Sequence, residues 1–562
     1  MTMSPHSRRR FLGTAALQSA SALGLGSFMA RPAGAAEIAA GRTLDAQAAS
    51  PSQPLAQRAA AGPLPVVVVG TGYGGAVAAL RLAEQGIPVV MLEMGQLWTQ
   101  PASDGRLFSK TLTPDGRAMW FKTKTEAPLK TFLGLDIINK KIPAYAGVLD
   151  RVHLGGIDAY VGRGVGGGSL VNGGMAVTPR EQDFGQILPG VDAGEMYAKW
   201  FPLANRLLGV NQVDPAWFEK AKCYRYARVA RDQAQRAGYK TAFVPTVYDV
   251  GYLAREDLGQ VTRSATAQEI LYGNNHGKCS LDQSYLADAV GTGRVSIYTL
   301  HEVTALRQAA GGGYELDVRQ IDAQGQELMR CTVRCAKLFL GAGSLGTSMM
   351  LVKARDTGGL PRLPAAVGAG WGHNGNVMAA RSNPLGTSTG AIQSTMPVMG
   401  IDDRDHPTRP VFAELTPLPT GFENGVSMVL AITKNPERGT FRWDAASGQV
   451  KLDWRLEQNA ASVAAVRSLI DPINRLLGTR YRTDLFGGGK AVADDFCYHP
   501  LGGCVLGQAT DLLGRVKGHP GLYVVDGALI PGWTSVNPFV TITALAERNL
   551  HHLLREDFGV TA

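Results

Sequence analysis

The chain has 562 residues, 45% hydrophobic and 18% charged, which is enough apolar material for large buried cores and too much for intrinsic disorder. Its 56 basic and 47 acidic side chains leave +9, yet Arg8, Arg9, Arg10 and Arg31 belong to an acid-free stretch of 35 residues, without which the excess is +5 and forms no basic stripe; nucleic acid is not an expected partner. The 69 glycines follow no G-X-Y period, which excludes collagen, and the six cysteines show no CxxC spacing, so neither a disulfide scaffold nor a metal site is expected.

In chain order, the first feature is Ser7-Arg8-Arg9-Arg10-Phe11-Leu12-Gly13, followed by a mildly apolar stretch to Ala30 and the small-x-small site Ala33-Gly34-Ala35. This order resembles a twin-arginine export signal over residues 1–35 and predicts a secreted, soluble mature protein. Residues 36–62, rich in Ala, Gln, Pro and Ser, are expected to be a flexible lead.

Pro65 to Val69 is an apolar β-branched run suited to a strand buried on both faces. Gly70-Thr71-Gly72-Tyr73-Gly74-Gly75 follows, then a predicted helix from Ala76 to Gln85 and a strand Val89 to Leu92 ending at Glu93. The spacing serves a tight turn at Gly70, approach of backbone to a pyrophosphate at Gly72, and close helix packing at Gly75. The helix N-terminus favours phosphate, and a carboxylate at Glu93 is placed to accept hydrogen bonds from ribose hydroxyls, which disfavours a 2′-phosphate. The ligand predicted is an NAD-type or FAD-type dinucleotide.

A second glycine-rich run, Gly162 to Met175, is too irregular for a strand and suits backbone pressed against a flat ring system. Tyr314 to Val318 and Met329 to Val333 alternate around Asp322 to Gly325 as a hairpin does. Cys331 and Cys335 share that alternating run, about 13 Å apart if extended, and read as small buried side chains rather than a disulfide. Val411 to Leu415 and Ser427 to Ile432 read as sheet, and Ala460 to Leu477 as helix. Leu522 to Val525 is another buried strand, ending in Asp526-Gly527. Pro538 is expected in the first turn of a helix covering Val540 to Glu547.

These stretches together resemble the glucose-methanol-choline (GMC) oxidoreductases, and within them the bacterial cholesterol oxidases that hold FAD noncovalently. The resemblance runs from about Pro65 to His551 and rests on the first glycine run, GRGVGGGSLVNGGM (162–175), LFLGAGSLG (338–346), FCYHPLGGCV (496–505) and VNPFVTITALAERN (536–549). It implies an α/β (α+β overall) fold with a Rossmann-like FAD-binding domain over 63–97, 280–365 and 510–562. A discontinuous substrate-binding domain, 98–279 and 366–509, would carry a mixed or antiparallel sheet roofing the flavin. It places Tyr73, Gly74 and Glu93 at the adenosine and pyrophosphate, and Gly168, Asn172, Gly173 and Met175 along the flavin and its phosphates. Val303, in a strand-like segment from Tyr298, would meet adenine through its backbone, and Gly527 and Phe539 the ribityl chain and isoalloxazine.

Oxidising an alcohol needs a proton acceptor, a hydride acceptor and exclusion of water, of which a flavin supplies only the second. His499 matches the family's active-site histidine, with an ordinary pKa suited to exchanging a proton or hydrogen bond with a hydroxyl. Glu414, an acid in an otherwise apolar strand, matches the base that moves a proton from C4 to C6 of the 5-en-3-one first formed; burial would raise its pKa. Asn537 would donate to the substrate oxygen or the flavin, a role compatible with capping its helix. The implied reaction oxidises the 3β-hydroxyl of cholesterol or related sterols with O2, giving H2O2 and the 4-en-3-one; a monomer is expected.

One departure from the family is Gly532-Trp533-Thr534-Ser535, bulkier than the small-residue loop expected, which leaves tail specificity and oxygen access open. The region from Phe121 to Lys141 corresponds to a lid over the steroid cavity. Its apolar Phe132, Leu133, Leu135, Ile137 and Ile138 lie among Lys122, Lys124, Lys130, Lys140 and Lys141, so transient contact with an anionic membrane surface is one expectation and an ordinary cavity lid the other. The residues also leave room for a relative acting on another hydrophobic alcohol or passing electrons to another acceptor, for a redox-silent lipid-binding protein, and for a hydrolase with Ser344 on a nucleophile elbow.

Overall fold

The computed structural model describes residues 43–560 except 137 and 270; the export segment, 1–35, lies outside the described residues. Val66–Val69 and Val89–Leu92 are 5% exposed or less, and each such aliphatic side chain contributes about 1.5–3 kcal/mol on burial. Both faces are therefore covered, and the two strands pair in parallel, Val66 opposite Val89. They belong to a seven-stranded sheet whose parallel part runs Val295–Thr299, Val89–Glu93, Leu64–Val69, the end of Glu327–Leu340, and Leu522–Val524.

The 14-residue strand Glu327–Leu340 changes partners along its length. Its first part pairs antiparallel with Tyr314–Ile321, forming the hairpin around Asp322 to Gly325; its last three residues lie between Leu64–Val69 and Leu522–Val524. Cys331 is half-buried and Cys335 buried, and both are free.

Three local expectations are corrected. The helix after the glycines is Tyr73–Glu84, three residues earlier than predicted, with Gly74 and Gly75 buried inside its first turn. The segment Tyr298 to Val303 is not one strand: Leu300 takes a left-handed φ of 59° and donates to Gly95 O at 3.0 Å. The chain turns there, so Val303 lies on the separate strand His301–Gln308. From residue 44 the expected flexible lead is packed: Leu44, Ala49 and Leu55 join the nucleotide-sheet core, and Arg58 donates to Ser296 Oγ at 3.2 Å. A few apolar anchors among Ala and Gln suffice to hold it.

The second sheet is antiparallel with six strands, in the order Val492–Ala493, Val377–Ser382, Val426–Thr433, Val411–Thr416, Met399–Asp403 and Thr241–Phe243. Its alternation sorts the two faces. Val411, Ala413, Leu415, Val429 and Ala431 pack on the helices Ala460–Leu477 and Arg225–Arg236. Met428 and Leu430 point the other way, with Glu414 directly opposite Leu430 in register. The overall class is thus mixed α/β, as expected.

Candidate active site

Between the two sheets lies a cavity of about 1410 Å³. Gly70, Gly72, Tyr73, Gly74, Glu93, Val303, Gly168, Asn172, Gly173, Met175, Gly527, Phe539, Glu414, His499 and Asn537 all line it; of the sequence-predicted residues only Gly75 does not. Its far end is walled by Leu129, Ile138, Leu271, Met378, Met428 and Leu430.

The glycines divide into two kinds. A Cβ on Gly70, Gly74 or Gly75 would stand 2.4, 1.7 or 2.2 Å from Gly341 O, Val525 O or Gly70 O, so the chain's own packing requires them. Gly75 thus performs the helix packing foreseen for it. Gly72 meets nothing nearer than Gly341 O at 3.8 Å, and Gly168 nothing within 4 Å. Both border the cavity, where a side chain would take space that bare backbone leaves for a pyrophosphate and a ring system.

Residues from separate motifs meet at this end. Tyr73 stacks on Phe539, ring centroids 5.1 Å apart and planes 16° apart, and its hydroxyl accepts from Asn172 Nδ2 at 2.6 Å. Burial raises the Tyr73 pKa, so the phenol stays neutral. Glu93 is already engaged: it accepts from Thr71 N (3.1 Å), Thr71 Oγ1 (2.6 Å) and Gly95 N (2.8 Å). A carboxylate has about four lone-pair sites, so one remains for a ribose hydroxyl, fewer than anticipated. Burial raises its pKa against these bonds. Asp526 accepts from Thr347 Oγ1 at 2.5 Å and Ala528 N at 2.8 Å, fixing the Asp-Gly turn to the helix Gly343–Asp356; burial raises it to about 6.

At the reacting end, Glu414 is 4% exposed and its pKa rises to about 7, burial outweighing a hydrogen bond from Asn537. Glu414 Oε1 and Asn537 Oδ1 have no partner within the protein, so each retains a free acceptor. The Asn537 side chain does not cap: the helix Phe539–Asp557 starts after Pro538, which is its N-cap rather than its first residue, with no side-chain cap.

His499 departs from expectation in its charge. Burial lowers its pKa to about 3, so the ring is neutral and has little capacity to gain a proton near pH 7. Asn376 decides its tautomer. Asn376 Oδ1 accepts from Tyr498 N at 3.0 Å, which orients Nδ2 to donate to His499 Nδ1 at 3.0 Å. The remaining proton is thereby assigned to Nε2, making His499 a hydrogen-bond donor.

Sequence reasoning missed Asn376 and its neighbour Asn374, whose amide donates to Val536 O (2.8 Å) and accepts from Thr534 N (2.8 Å), tying down the segment before Asn537. Their only signal was the polar Asn374-Gly375-Asn376 ahead of an apolar strand. It also missed Lys278, 3% exposed, which donates to Asn172 O at 2.5 Å and anchors the second glycine run; burial lowers its pKa to about 7. Ser344 is 2% exposed with its hydroxyl donated to Gly502 O at 2.8 Å. It serves packing, which removes the support for a hydrolase.

Residues 374–487 match the family model "GMC oxidoreductase, C-terminal" and residues 436–546 the model "GMC oxidoreductase". The chain is 25% identical to a cholesterol oxidase of Mycobacterium tuberculosis, over 86% of this chain and 90% of that one. It is 23% identical to a cholesterol oxidase of Acinetobacter baumannii, over 87% and 94%. An FAD-dependent oxidoreductase from Chaetomium thermophilum shares the fold at a TM-score of 0.58 and 14% identity, over 89% of this chain and 100% of that one. These matches support the GMC oxidoreductase family through models that cover residues 374–546, and the solved structure supports the fold.

Proposed function

We propose that this chain is a noncovalent FAD oxidase of hydrophobic alcohols, with the 3β-hydroxyl of a sterol such as cholesterol as its substrate and isomerisation of the 5-en-3-one as a second activity. One observation carries the reading: Glu414, with a pKa near neutrality and a free oxygen, lies beside Asn537 in the wall of an apolar cavity that His499 also lines. A carbon-bound proton is moved best by such a base, because both its forms are accessible at working pH. The cholesterol oxidases to which the chain is similar support the substrate class.

Gly72, Gly168, Tyr73 and Phe539 would hold FAD, which would supply the hydride acceptor and the route by which electrons reach O2. The hydroxyl proton leaves to solvent water as the hydride departs, because His499 already carries its proton on Nε2 and does not accept another; the chain's residues position the reacting groups. His499 donates its Nε2 proton as a hydrogen bond to the substrate oxygen, and Asn537 orients both that oxygen and the Glu414 carboxylate. Glu414 removes the C4 proton of the 5-en-3-one and returns it to C6. Leu129, Met378, Met428 and Leu430 exclude water.

Export by the twin-arginine route remains part of the proposal, as does transient membrane contact. Three of the lid lysines are paired: Lys122 with Glu126 (3.7 Å), Lys124 with Asp136 (2.6 Å) and Lys130 with Asp495 (2.9 Å). Lys140, Lys141, Leu133 and Leu135 are exposed, and they are the groups left to meet an anionic lipid surface.

A panel of sterols and other hydrophobic alcohols, assayed with O2 and with artificial electron acceptors, tests the reading. Peroxide formed fastest with a 3β-hydroxysterol supports it. Faster turnover of an unrelated alcohol would make the chain an oxidase of that alcohol, and turnover only with the artificial acceptor would make it a dehydrogenase.

A further inference from the structure

Behind the segment that leads to Asn537 lies a second cavity of about 270 Å³, bordered by Arg404, Lys434, His406, Trp533 and Ser535. Trp533 and Ser535 are 8% and 4% exposed, and neither Trp533 Nε1 nor Ser535 Oγ has a partner; nor does Arg404 Nη1. Indole and guanidinium N–H groups only donate.

The acids at this cavity are already committed. Asp183 is held through both oxygens by Arg180 (2.9 and 3.1 Å), and Asp405 by Arg180 (2.7 Å) and Lys240 (3.5 Å). Arg404 spends Nε and Nη2 on Asp402 at 2.8 and 2.6 Å, leaving Nη1. His406 Nδ1 accepts from Thr408 N and Arg409 N at 3.3 and 3.0 Å, which puts its proton on Nε2. Two N–H donors and one hydroxyl at this cavity are therefore without a partner, and Lys434, whose Nζ donates to Gln186 Oε1 at 2.7 Å, adds a positive charge to the lining; such a donor-rich lining is the complement of an oxyanion.

We infer that this cavity is a binding site for a small oxyanion, a phosphate or a carboxylate, and that its occupant steadies residues 533–537. Ser535 and Trp533 are the direct link, since they belong to the same short segment as Asn537. Ser535 holds a left-handed φ of 62°, a conformation that an added hydrogen bond at Oγ would help to maintain. The inference does not rest on the proposed reaction, since nothing in it requires turnover.

The test uses the FAD-loaded protein at constant ionic strength, titrated by calorimetry with sodium phosphate, with sodium acetate and with sodium chloride, alongside hydrogen exchange of the 532–538 amides. Saturable binding of phosphate or acetate but not chloride is expected, with exchange slowed in that segment. Preference for one of the two assigns the source. Trp533→Phe and Ser535→Ala each remove one donor with little change of shape and should weaken binding about tenfold. Equal behaviour of all three salts, unchanged affinity in both variants, or binding without protection of 532–538 would overturn the inference.

Discussion

Asn376 Nδ2 stands 3.0 Å from His499 Nδ1, and through this contact the residue just before the second-sheet strand Val377–Ser382 sets which face of the histidine presents a proton to the cavity. In the proposed reaction the imidazole acts by donating from Nε2, since its depressed pKa keeps it neutral.

Asn376→Ala should slow alcohol oxidation about tenfold in kcat, with KM little changed, because one hydrogen bond orienting the donor is lost. Asn376→Asp should behave differently. A carboxylate beside Nδ1 favours the imidazolium, so this variant should acquire a pH dependence of flavin reduction near neutrality that the wild type lacks. Identical pH profiles would remove the tautomer role.

For Glu414 the sign of the pH effect follows from a folded pKa of about 7 against an ordinary 4.5. The folded state keeps the proton longer than the unfolded one, so this group's contribution to stability falls as pH rises from about 4.5 to 7 and is flat above. Glu414→Gln should stabilise the protein by about 2–3 kcal/mol more at pH 8 than at pH 4, read by denaturant titration at both. Isomerisation in the wild type should rise with pH through about 7. In Asn537→Leu that midpoint should move upward, since Asn537 lowers the Glu414 pKa, and flavin reduction should slow as well. An unmoved midpoint would dissociate the pair.

Two glycines of one motif should respond in opposite ways. Gly72→Ala adds a methyl group with no neighbour nearer than 3.8 Å, so the protein should fold but bind FAD at least tenfold more weakly, as read by release of cofactor on dilution. Gly75→Ala meets Gly70 O at 2.2 Å and should lower stability by several kcal/mol through overpacking. Denaturation of the wild type should release unmodified FAD; flavin remaining with the precipitated chain would show a covalent link.

The parallel part of the nucleotide sheet was legible because Leu64–Val69, Val89 to Leu92 and Leu522–Val524 are unbroken apolar runs and because Gly70, Gly74 and Gly75 fall where sterics admit nothing else. Glu414 stood out as one acid in an apolar strand, and the sheet register turned that oddity toward the cavity. Four of the six strands of the second sheet were not foreseen: Val492–Ala493 and Thr241–Phe243 are too short for alternation to register, Met399–Asp403 ends in two acids, and Val377–Ser382 carries Arg381 within it. The Tyr298 to Val303 run concealed a turn, since Leu300 gives no sign of its positive φ. Asn374 and Asn376 were invisible because their work depends on partners more than 100 residues away, a relation that local pattern does not carry. The His499 charge could not be read from residue type, because it follows from burial.

The most direct test is a single anaerobic turnover with cholesterol, following flavin bleaching and the product ketones together, in wild type and in Glu414→Gln. Wild type should bleach and yield the conjugated 4-en-3-one. The variant should bleach at a comparable rate while the 5-en-3-one accumulates, its isomerisation slowed by about 10²–10⁴-fold. No bleaching of wild type by cholesterol, or equal loss of bleaching and isomerisation in the variant, would contradict the division of labour assigned to Glu414.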